Sequence, residues 1–358
     1  MKFLKELFAI ERNPMKGLMA VEWAAMGYLV LTLVVTLFLY TRLPHPETMI
    51  WGRGKIVAMT LALWLAYRII PCRFIRFARV AAQLALLAWW YPDTFELNRT
   101  LPNLDHLFAS WEQQLFGCQP ALLFSELLPG AVASELFDMG YAAYYPMIVF
   151  VVIYYFLFRN NEFERAAFIV ITAFFLYYVM FIFIPVAGPT FYFKAVGVKN
   201  IVAGVFPNIH DYFNYHQECL TSPGYTDGIF YQFVEDAKAA GERPTAAFHS
   251  SHVGISTVIM WLVWHARNGR LLLLLSPFYV LLCCATVYIQ AHYLVDAIAG
   301  LLTGTFFFFL LLAASKKMKG SILALPSSTF HLQPSIYFKT LLIFESPYLI
   351  VARVIASV

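Results

Sequence analysis

The chain has 358 residues, of which 61% are hydrophobic and only 13% are charged. A soluble globular domain is about half apolar and a quarter charged, so this composition excludes a soluble protein and predicts an all-α integral membrane protein. The formal net charge of +4 does not indicate nucleic-acid binding, because the cations lie in short loops between apolar runs, as membrane topology requires.

Eight apolar runs predict a polytopic helical bundle of about eight transmembrane helices. They cover residues 19–40, 56–70, 77–91, 139–158, 166–186, 253–266, 271–289 and 293–314. The first three helices belong to an N-terminal region, residues 1–92, and we expect Pro71 and Pro92 to end the second and third helices. The last five lie within residues 139–314, the predicted catalytic core.

The segments between and after these runs are more polar or too short to span a membrane. Residues 93–138 are acidic and interrupted by prolines, and residues 104–116 predict an interfacial amphipathic helix with Asp105, Glu112 and Gln113 on its wet side. Residues 188–250 form a polar loop much longer than an ordinary connection, so we expect it to be functional. In the tail, residues 315–358, two apolar stretches at 337–344 and 348–358 are too short to span, and we expect surface-lying helices there.

Loop charges predict the orientation of the bundle. The basic clusters at residues 2–16, 73–79, 159–165, 267–270 and 316–319 all fall at one end of an eight-helix arrangement. By the positive-inside rule, that end faces the cytosol. The loops at 93–138 and 188–250 fall at the other end, which we expect to face the periplasm, lumen or exterior.

Two histidine motifs lie at this non-cytosolic end. His292 and Asp296 are four residues apart and therefore share one helix face, and an aspartate entering a membrane helix is a candidate functional residue. His252 directly precedes another predicted helix, 253–266. Because a single helix separates the two motifs, we expect both histidines to lie at the same membrane face. An imidazole that is oriented by a carboxylate, with a second imidazole beside it, is suited to act as a nucleophile with a proton donor.

Ser250 and Ser251 precede the helix that begins after His252. The free amides and the dipole of a helix N-terminus favour an anion, so these serines and their backbone are candidate phosphate ligands. A nucleophilic imidazole, a second imidazole and an anion site together favour phosphoryl transfer.

These motifs resemble those of a known family. Phe248-His249-Ser250-Ser251-His252-Val253-Gly254 resembles the Phe-Pro-Ser-x-His-x-Gly motif of the type 2 phosphatidic acid phosphatase superfamily. His292-Tyr293-x-x-Asp296-x-x-x-Gly300 resembles the third motif of its lipid phosphotransferase branch, which includes the inositol phosphorylceramide synthases. Pro185-Val186-Ala187-Gly188-Pro189-Thr190-Phe191-Tyr192 is similar to the first motif of those synthases. The resemblance covers about residues 137–314, with a weaker similarity at 115–120.

The resemblance implies a six-helix catalytic core and a reaction that needs no cofactor or metal. His292 would attack phosphorus and form a phosphohistidine, Asp296 would hold its ring, and His252 would protonate the leaving group and then activate the acceptor. The substrates implied are a phospholipid donor and a lipid acceptor such as ceramide or diacylglycerol. The candidate substrate- and phosphate-binding residues are Ser250, Ser251, His249, Arg243, Lys194 and Tyr192.

The chain departs from the phosphatase branch at positions that carry charge. Thr286 stands where those phosphatases have an arginine, His249 replaces the proline of the second motif, and the spacing of Lys194 and Arg243 does not match the family's cations. A phosphomonoester carries nearly two negative charges and benefits from several cations, whereas a phosphodiester carries one. The departures therefore favour a diester donor, and a transferase over a phosphatase.

Several alternatives stay open on the sequence alone. A lipid phosphate phosphatase would use the same catalytic residues, and a non-enzymatic transporter or scaffold would also retain polar residues in its helices. A zinc site built from His216, His249 and His252 is a further alternative. A disulfide between Cys118 and Cys219 is possible, because both cysteines fall in loops at the same end of the bundle.

Overall fold

The computed structural model describes residues 2–322, with side chains for residues 5–316, and the regular elements among them are helical. The α-helices, α1 to α15 in chain order, cover Lys2–Phe8, Ala20–Phe38, Pro46–Ile69, Arg73–Asn98, Asp105–Phe116, Pro120–Leu127, Ala131–Ala142, Tyr144–Phe158, Asn160–Phe183, Pro189–Val196, Val198–Val202, Ile229–Gly241, Ser251–His265, Gly269–Tyr288 and Leu294–Ile322. Short 3-10 helices lie at Tyr40–Arg42 and Tyr212–Asn214. The all-α prediction is confirmed, while the surface helices expected at 337–344 and 348–358 lie outside the described residues.

Within the described residues, five helices are long and apolar enough to cross a membrane: α2, α3, α9, α14 and α15 over Leu294–Lys316. Helices α7 and α8 meet at a bend of 44° and together make a sixth candidate span. The architecture is thus that of a multi-pass membrane protein. The other two predicted spans correspond to α4 and α13, the latter only 15 residues long, and the count of eight spans stays a prediction.

Two helices in the N-terminal region differ from their predicted bounds. Helix α3 begins at Pro46 rather than at residue 56, and α4 continues through Pro92 to Asn98, so Pro92 does not end it. A proline is tolerated inside a membrane-embedded helix where neighbouring groups bond the exposed backbone. Here the Tyr178 hydroxyl donates to the Leu87 carbonyl at 3.1 Å. Leu87 directly precedes Ala88, whose carbonyl loses its usual amide partner to the proline.

Buried ion pairs connect α2, α3 and α4. Both guanidinium nitrogens of Arg53 donate to the Asp93 carboxylate, at 2.7 and 3.1 Å, and Arg79 Nε donates to Glu22 Oε1 at 2.7 Å. All four side chains are buried. Charges inside a membrane protein are tolerated when they are paired in this way. The two ion pairs connect α4 to both α2 and α3.

The long segment at residues 188–250 is largely folded. It contains α10, α11, the 3-10 helix Tyr212–Asn214 and α12, and α12 packs against α7. Helix α9 lies at the centre of the bundle, in contact with α2, α4, α8 and α13. The predicted long loop at 188–250 therefore contains short helices that the sequence analysis did not expect.

Helices α13 and α15 approach each other backbone to backbone at glycines. A Cβ added to Gly300 would lie 2.5 Å from the Ser250 carbonyl oxygen, and one added to Gly304 would meet the Gly254 backbone. Small residues allow such close packing of membrane helices. Since His252 is in the first turn of α13 and His292 lies just before α15, this contact brings the two histidines together.

Replacing Gly300 by alanine should separate these helices. We expect Gly300→Ala to destabilise the protein by about 1–3 kcal/mol through overpacking and to lower the apparent Tm of the purified protein in detergent. Gly27→Ala is the matched control: Gly27 is also helical, but nothing lies within 4 Å of an added Cβ, so alanine should leave Tm unchanged or raise it. Equal melting of the two variants would contradict the close approach.

Candidate active site

The two histidines of the sequence motifs face each other. His292 lies in the turn between α14 and α15, and its Nε2 is 3.4 Å from Nδ1 of His252. Only 4% of His292 is exposed. The structure therefore brings together, in a buried site, the pair that the sequence singles out.

The backbone carbonyl of Ala247 orients the His292 ring. His292 Nδ1 lies 2.9 Å from the Ala247 oxygen, and because a carbonyl only accepts, Nδ1 carries the proton and Nε2 presents its lone pair toward His252. Burial lowers the pKa of His292 to about 4, and the hydrogen bond to Ala247 opposes that shift. At neutral pH the imidazole is neutral, which is the form a nucleophile requires.

Asp296 does not make the hydrogen bond to His292 that we expected. Its Oδ2 lies 3.9 Å from His292 Nδ1 and instead accepts from the Tyr293 amide at 2.9 Å, which satisfies a free N–H at the start of α15. Its backbone carbonyl accepts from the Ser250 amide at 3.1 Å. Asp296 thus stabilises the junction of α13 and α15 close to the ring, while Ala247 fixes the ring itself.

The second motif supplies a helix cap. Ser250 is fully buried, and its hydroxyl accepts from the Val253 amide at 3.3 Å, so it is the N-cap of α13. Ser251 is half-buried and its carbonyl faces the Tyr144 hydroxyl at 3.5 Å. His249 is buried, which lowers its pKa to about 4, and among the described residues its Nδ1 has no hydrogen-bond partner.

Three further candidates are engaged elsewhere or exposed. The Tyr192 hydroxyl is not free for phosphate, because it donates to the Pro207 carbonyl at 2.8 Å. Arg243 is exposed and donates to Gln217 at 3.3 Å, and Lys194 is also exposed. Among the contacts of the described residues, no lysine or arginine side chain bonds to His252, His292 or Ser250.

The first motif contacts both of the others. The Val186 carbonyl accepts from the Ala247 amide at 3.0 Å, and the Thr190 amide donates to the Gln290 carbonyl at 2.9 Å. Gly188 has a φ of 94°, and a Cβ there would lie 2.7 Å from the Ala291 oxygen, so the position requires glycine. All three motifs therefore meet around His292.

Two tyrosines on the α7–α8 bend pack on His252. The Tyr141 ring stacks on the imidazole at a centroid distance of 4.8 Å, and the Tyr144 ring lies at 4.4 Å. Sequence reasoning missed this role, since tyrosines are abundant in the helices and no spacing marks these two. Their packing restricts the orientation of the imidazole.

Asp105 on α5 holds the first motif in place and was also missed. Its carboxylate accepts from the amides of Ala187 at 2.7 Å and Gly188 at 2.8 Å, and from the Tyr293 hydroxyl at 3.1 Å. Burial raises the pKa of Asp105 to about 6, and these hydrogen bonds lower it in part. One carboxylate therefore fixes both the first motif and the residue after His292.

Glu112, two helical turns along α5, holds the third motif. Its Oε1 accepts from the Val295 amide at 3.0 Å, a free N–H in the first turn of α15. Asp105 and Glu112 are fully buried, whereas Trp111 and Leu115 are exposed. The expected wet side of α5 was thus wrong: its acidic residues face the site and its apolar residues face outward.

Two sequence alternatives find no support in the geometry. Cys118 and Cys219 are free thiols. Among the described residues, no group of three histidine, cysteine or acidic side chains is arranged to hold a metal ion, so the zinc alternative has no built site.

Comparison with known proteins places these motifs in a wider group. A family model described as the PAP2 superfamily matches residues 106–310, more than half of the chain. No curated protein and no solved structure matches the chain.

Asp105→Asn tests the role of α5. An amide would place N–H donors against the donor groups of Ala187, Gly188 or Tyr293, so the first motif should shift. We expect phosphoryl transfer to slow by up to about 100-fold, mainly in kcat, as misplaced catalytic groups do. Asp236→Asn, at an exposed aspartate, is the matched control, and similar kinetics for the two variants would show that Asp105 does not position the site.

Proposed function

The chain belongs to the PAP2 superfamily, and on that premise we propose that it is a lipid phosphotransferase. It moves a phosphorylated headgroup from a phospholipid donor to a lipid acceptor, ceramide- or diacylglycerol-like, in the manner of an inositol phosphorylceramide synthase. Superfamily membership itself indicates phosphatase or phosphotransferase chemistry. The proposal adds the transfer of a headgroup and the lipid nature of the acceptor.

The observation that carries the proposal is the His292 Nε2 lone pair, directed at a second imidazole 3.4 Å away. The Ala247 carbonyl fixes the proton on Nδ1, so Nε2 is the nitrogen that attacks phosphorus. No lysine or arginine contacts the pair among the described residues. A site with so little positive charge suits a phosphodiester better than a doubly charged monoester.

In the first step, Nε2 of His292 attacks the phosphorus of the donor. An N–P bond forms as the bond between phosphorus and the glycerol oxygen breaks. His252 enters this step as the doubly protonated imidazolium, gives one proton to that oxygen and is left as a neutral imidazole. Diacylglycerol leaves, and the phosphorylated headgroup remains on His292.

In the second step, the acceptor hydroxyl gives its proton to His252 and attacks phosphorus. A new P–O bond forms, the N–P bond breaks, and the electron pair returns to His292 Nε2. Both histidines end in their starting protonation states, so the cycle consumes only donor and acceptor.

The donor must separate the two imidazoles. Reacting atoms in an attack geometry lie about 3–3.5 Å apart, which already equals the 3.4 Å between the ring nitrogens. His252 therefore releases its hydrogen bond to Nε2 when the phosphate enters. Tyr141 and Tyr144 on the α7–α8 bend determine where that ring goes.

The proposed reaction occurs at the non-cytosolic leaflet. The basic loop clusters of the sequence lie at the end of the bundle opposite to the histidine motifs, and the positive-inside rule supports this orientation. Donor and acceptor would then both come from that leaflet.

Product analysis distinguishes a transferase from a phosphatase. We expect purified protein, given a phosphate-labelled phospholipid donor with ceramide or diacylglycerol, to yield a new lipid that carries the labelled headgroup. His292→Ala should abolish this product, and His216→Ala, at an exposed histidine of the same polar segment, should not.

Two results would contradict the proposal in different ways. Release of inorganic phosphate from a monoester lipid, without any headgroup-bearing product, would identify the phosphatase alternative. Turnover of every donor at an unchanged rate in His292→Ala would remove the assigned chemistry and favour a transporter or scaffold.

A further inference from the structure

An open cavity of about 470 Å³ shares no residue with the candidate active site. Its walls come from three places: the 3-10 helix after α2, the end of α4 with the turn that follows, and the 3-10 helix Tyr212–Asn214. The volume is within the range of small-molecule sites, which is about 300–1,000 Å³.

Two arginines give the cavity its charge. Arg42 and Arg99 both line it, and Asp211 is the carboxylate of the lining. The remaining lining residues include His210, Tyr215 and Thr100, whose hydroxyl donates to the Leu97 carbonyl at 2.8 Å. Arg99 is ion-paired with Glu96 outside the lining, so the unpaired guanidinium of Arg42 is the group that favours an anion. Guanidinium groups suit the oxygens of a phosphate because they donate in pairs.

Hydrogen bonds to neighbouring residues fix the position of the Arg99 guanidinium. Its Nε donates to Asn214 Oδ1 at 3.3 Å, its Nη2 donates to the Asn214 carbonyl at 3.0 Å, and Glu96 lies 3.4 Å from Nη1. The guanidinium is therefore fixed at the cavity wall, so an arriving anion would not have to order it.

Arg42 is different, because its guanidinium is exposed and has no hydrogen bond or ion pair to any part of the chain that the structure describes. It follows α2, a candidate membrane span that ends at Phe38. The cavity therefore opens near the end of a membrane helix, at the level where lipid headgroups lie.

The cavity is also close to the catalytic motifs. A smaller cavity shares Arg99 and Asp211 with it and extends to Pro185, the first residue of the first motif. The Leu104 amide donates to the Pro185 carbonyl at 3.0 Å, and Leu104 directly precedes Asp105. The first motif therefore reaches the smaller cavity, which shares residues with the larger one.

We propose that this cavity is a second phosphate-binding site, in which Arg42 and Arg99 bind the phosphate of an anionic lipid headgroup while the acyl chains stay in the membrane. Both arginines lie outside the residues that match the family, 106–310. The site therefore combines two arginines from outside the matched residues with His210, Asp211, Asn214 and Tyr215 from within them. It does not depend on the proposed reaction, because it uses none of the catalytic residues.

The test measures lipid binding to the full chain in detergent micelles. Native mass spectrometry counts bound phosphatidylglycerol across a titration, with phosphatidylcholine as the zwitterionic comparison. We expect Arg42→Gln to weaken phosphatidylglycerol binding about tenfold, the loss of one charge-assisted hydrogen bond, at an unchanged Tm. Lys199→Gln, at an exposed lysine outside the cavity, should bind as the unmodified chain does.

Further measurements distinguish free phosphate from a lipid headgroup, and the cavity from the candidate active site. Inorganic phosphate that displaces the lipid, in a manner lost in Arg42→Gln, would support the site with free phosphate as a ligand too. His292→Ala should leave the Arg42-dependent binding intact, whatever becomes of turnover. Arg99→Gln should weaken binding as well, but because Arg99 also holds Asn214, the decisive variant is Arg42→Gln. Unchanged phosphatidylglycerol affinity in Arg42→Gln would overturn the proposal.

Discussion

The hydrogen bond from His292 Nδ1 to the Ala247 carbonyl is the constraint on which the rest of the site depends. It decides which ring nitrogen is free to attack, and it does so with a backbone atom whose position the surrounding structure fixes. The Ala247 amide bonds to Val186 at 3.0 Å, and the amides of the next two residues, Ala187 and Gly188, bond to the Asp105 carboxylate. A continuous series of hydrogen bonds therefore runs from α5 to His292, the proposed nucleophile, and the close contact of α13 and α15 supplies its partner, His252.

Helix α5 shows how polarity is arranged in this protein. In a soluble protein an amphipathic helix turns its charged residues to water, but here Asp105 and Glu112 are fully buried and Trp111 and Leu115 are exposed. The polar interior is the candidate active site, and the outward surface of a membrane protein is apolar. The same logic applies to Arg53 with Asp93, whose charges are paired inside the helices rather than at their ends.

The helical fold and the pairing of His252 with His292 could be predicted from the sequence, since long apolar runs specify helices locally and the two histidine motifs have fixed spacings. What could not be predicted depends on tertiary contacts. Every residue has a backbone carbonyl, so no sequence signal identifies Ala247 as the partner of His292. The sequence analysis therefore assigned that role to Asp296, four residues away. The Tyr192 hydroxyl was a candidate ligand because its bond to the Pro207 carbonyl depends on the fold. Pro92 was predicted to end a helix because the residues that pack around it are distant in sequence.

The central claim is that His292 is the residue that carries phosphorus during turnover. The most direct measurement is to incubate purified protein with a phospholipid labelled in its phosphate, without acceptor, and to map the acid-labile adduct by peptide sequencing. The account predicts one labelled site, at His292, which is discharged when acceptor lipid is added. A label at a different residue, or no label in a preparation that turns over the same donor, would contradict it.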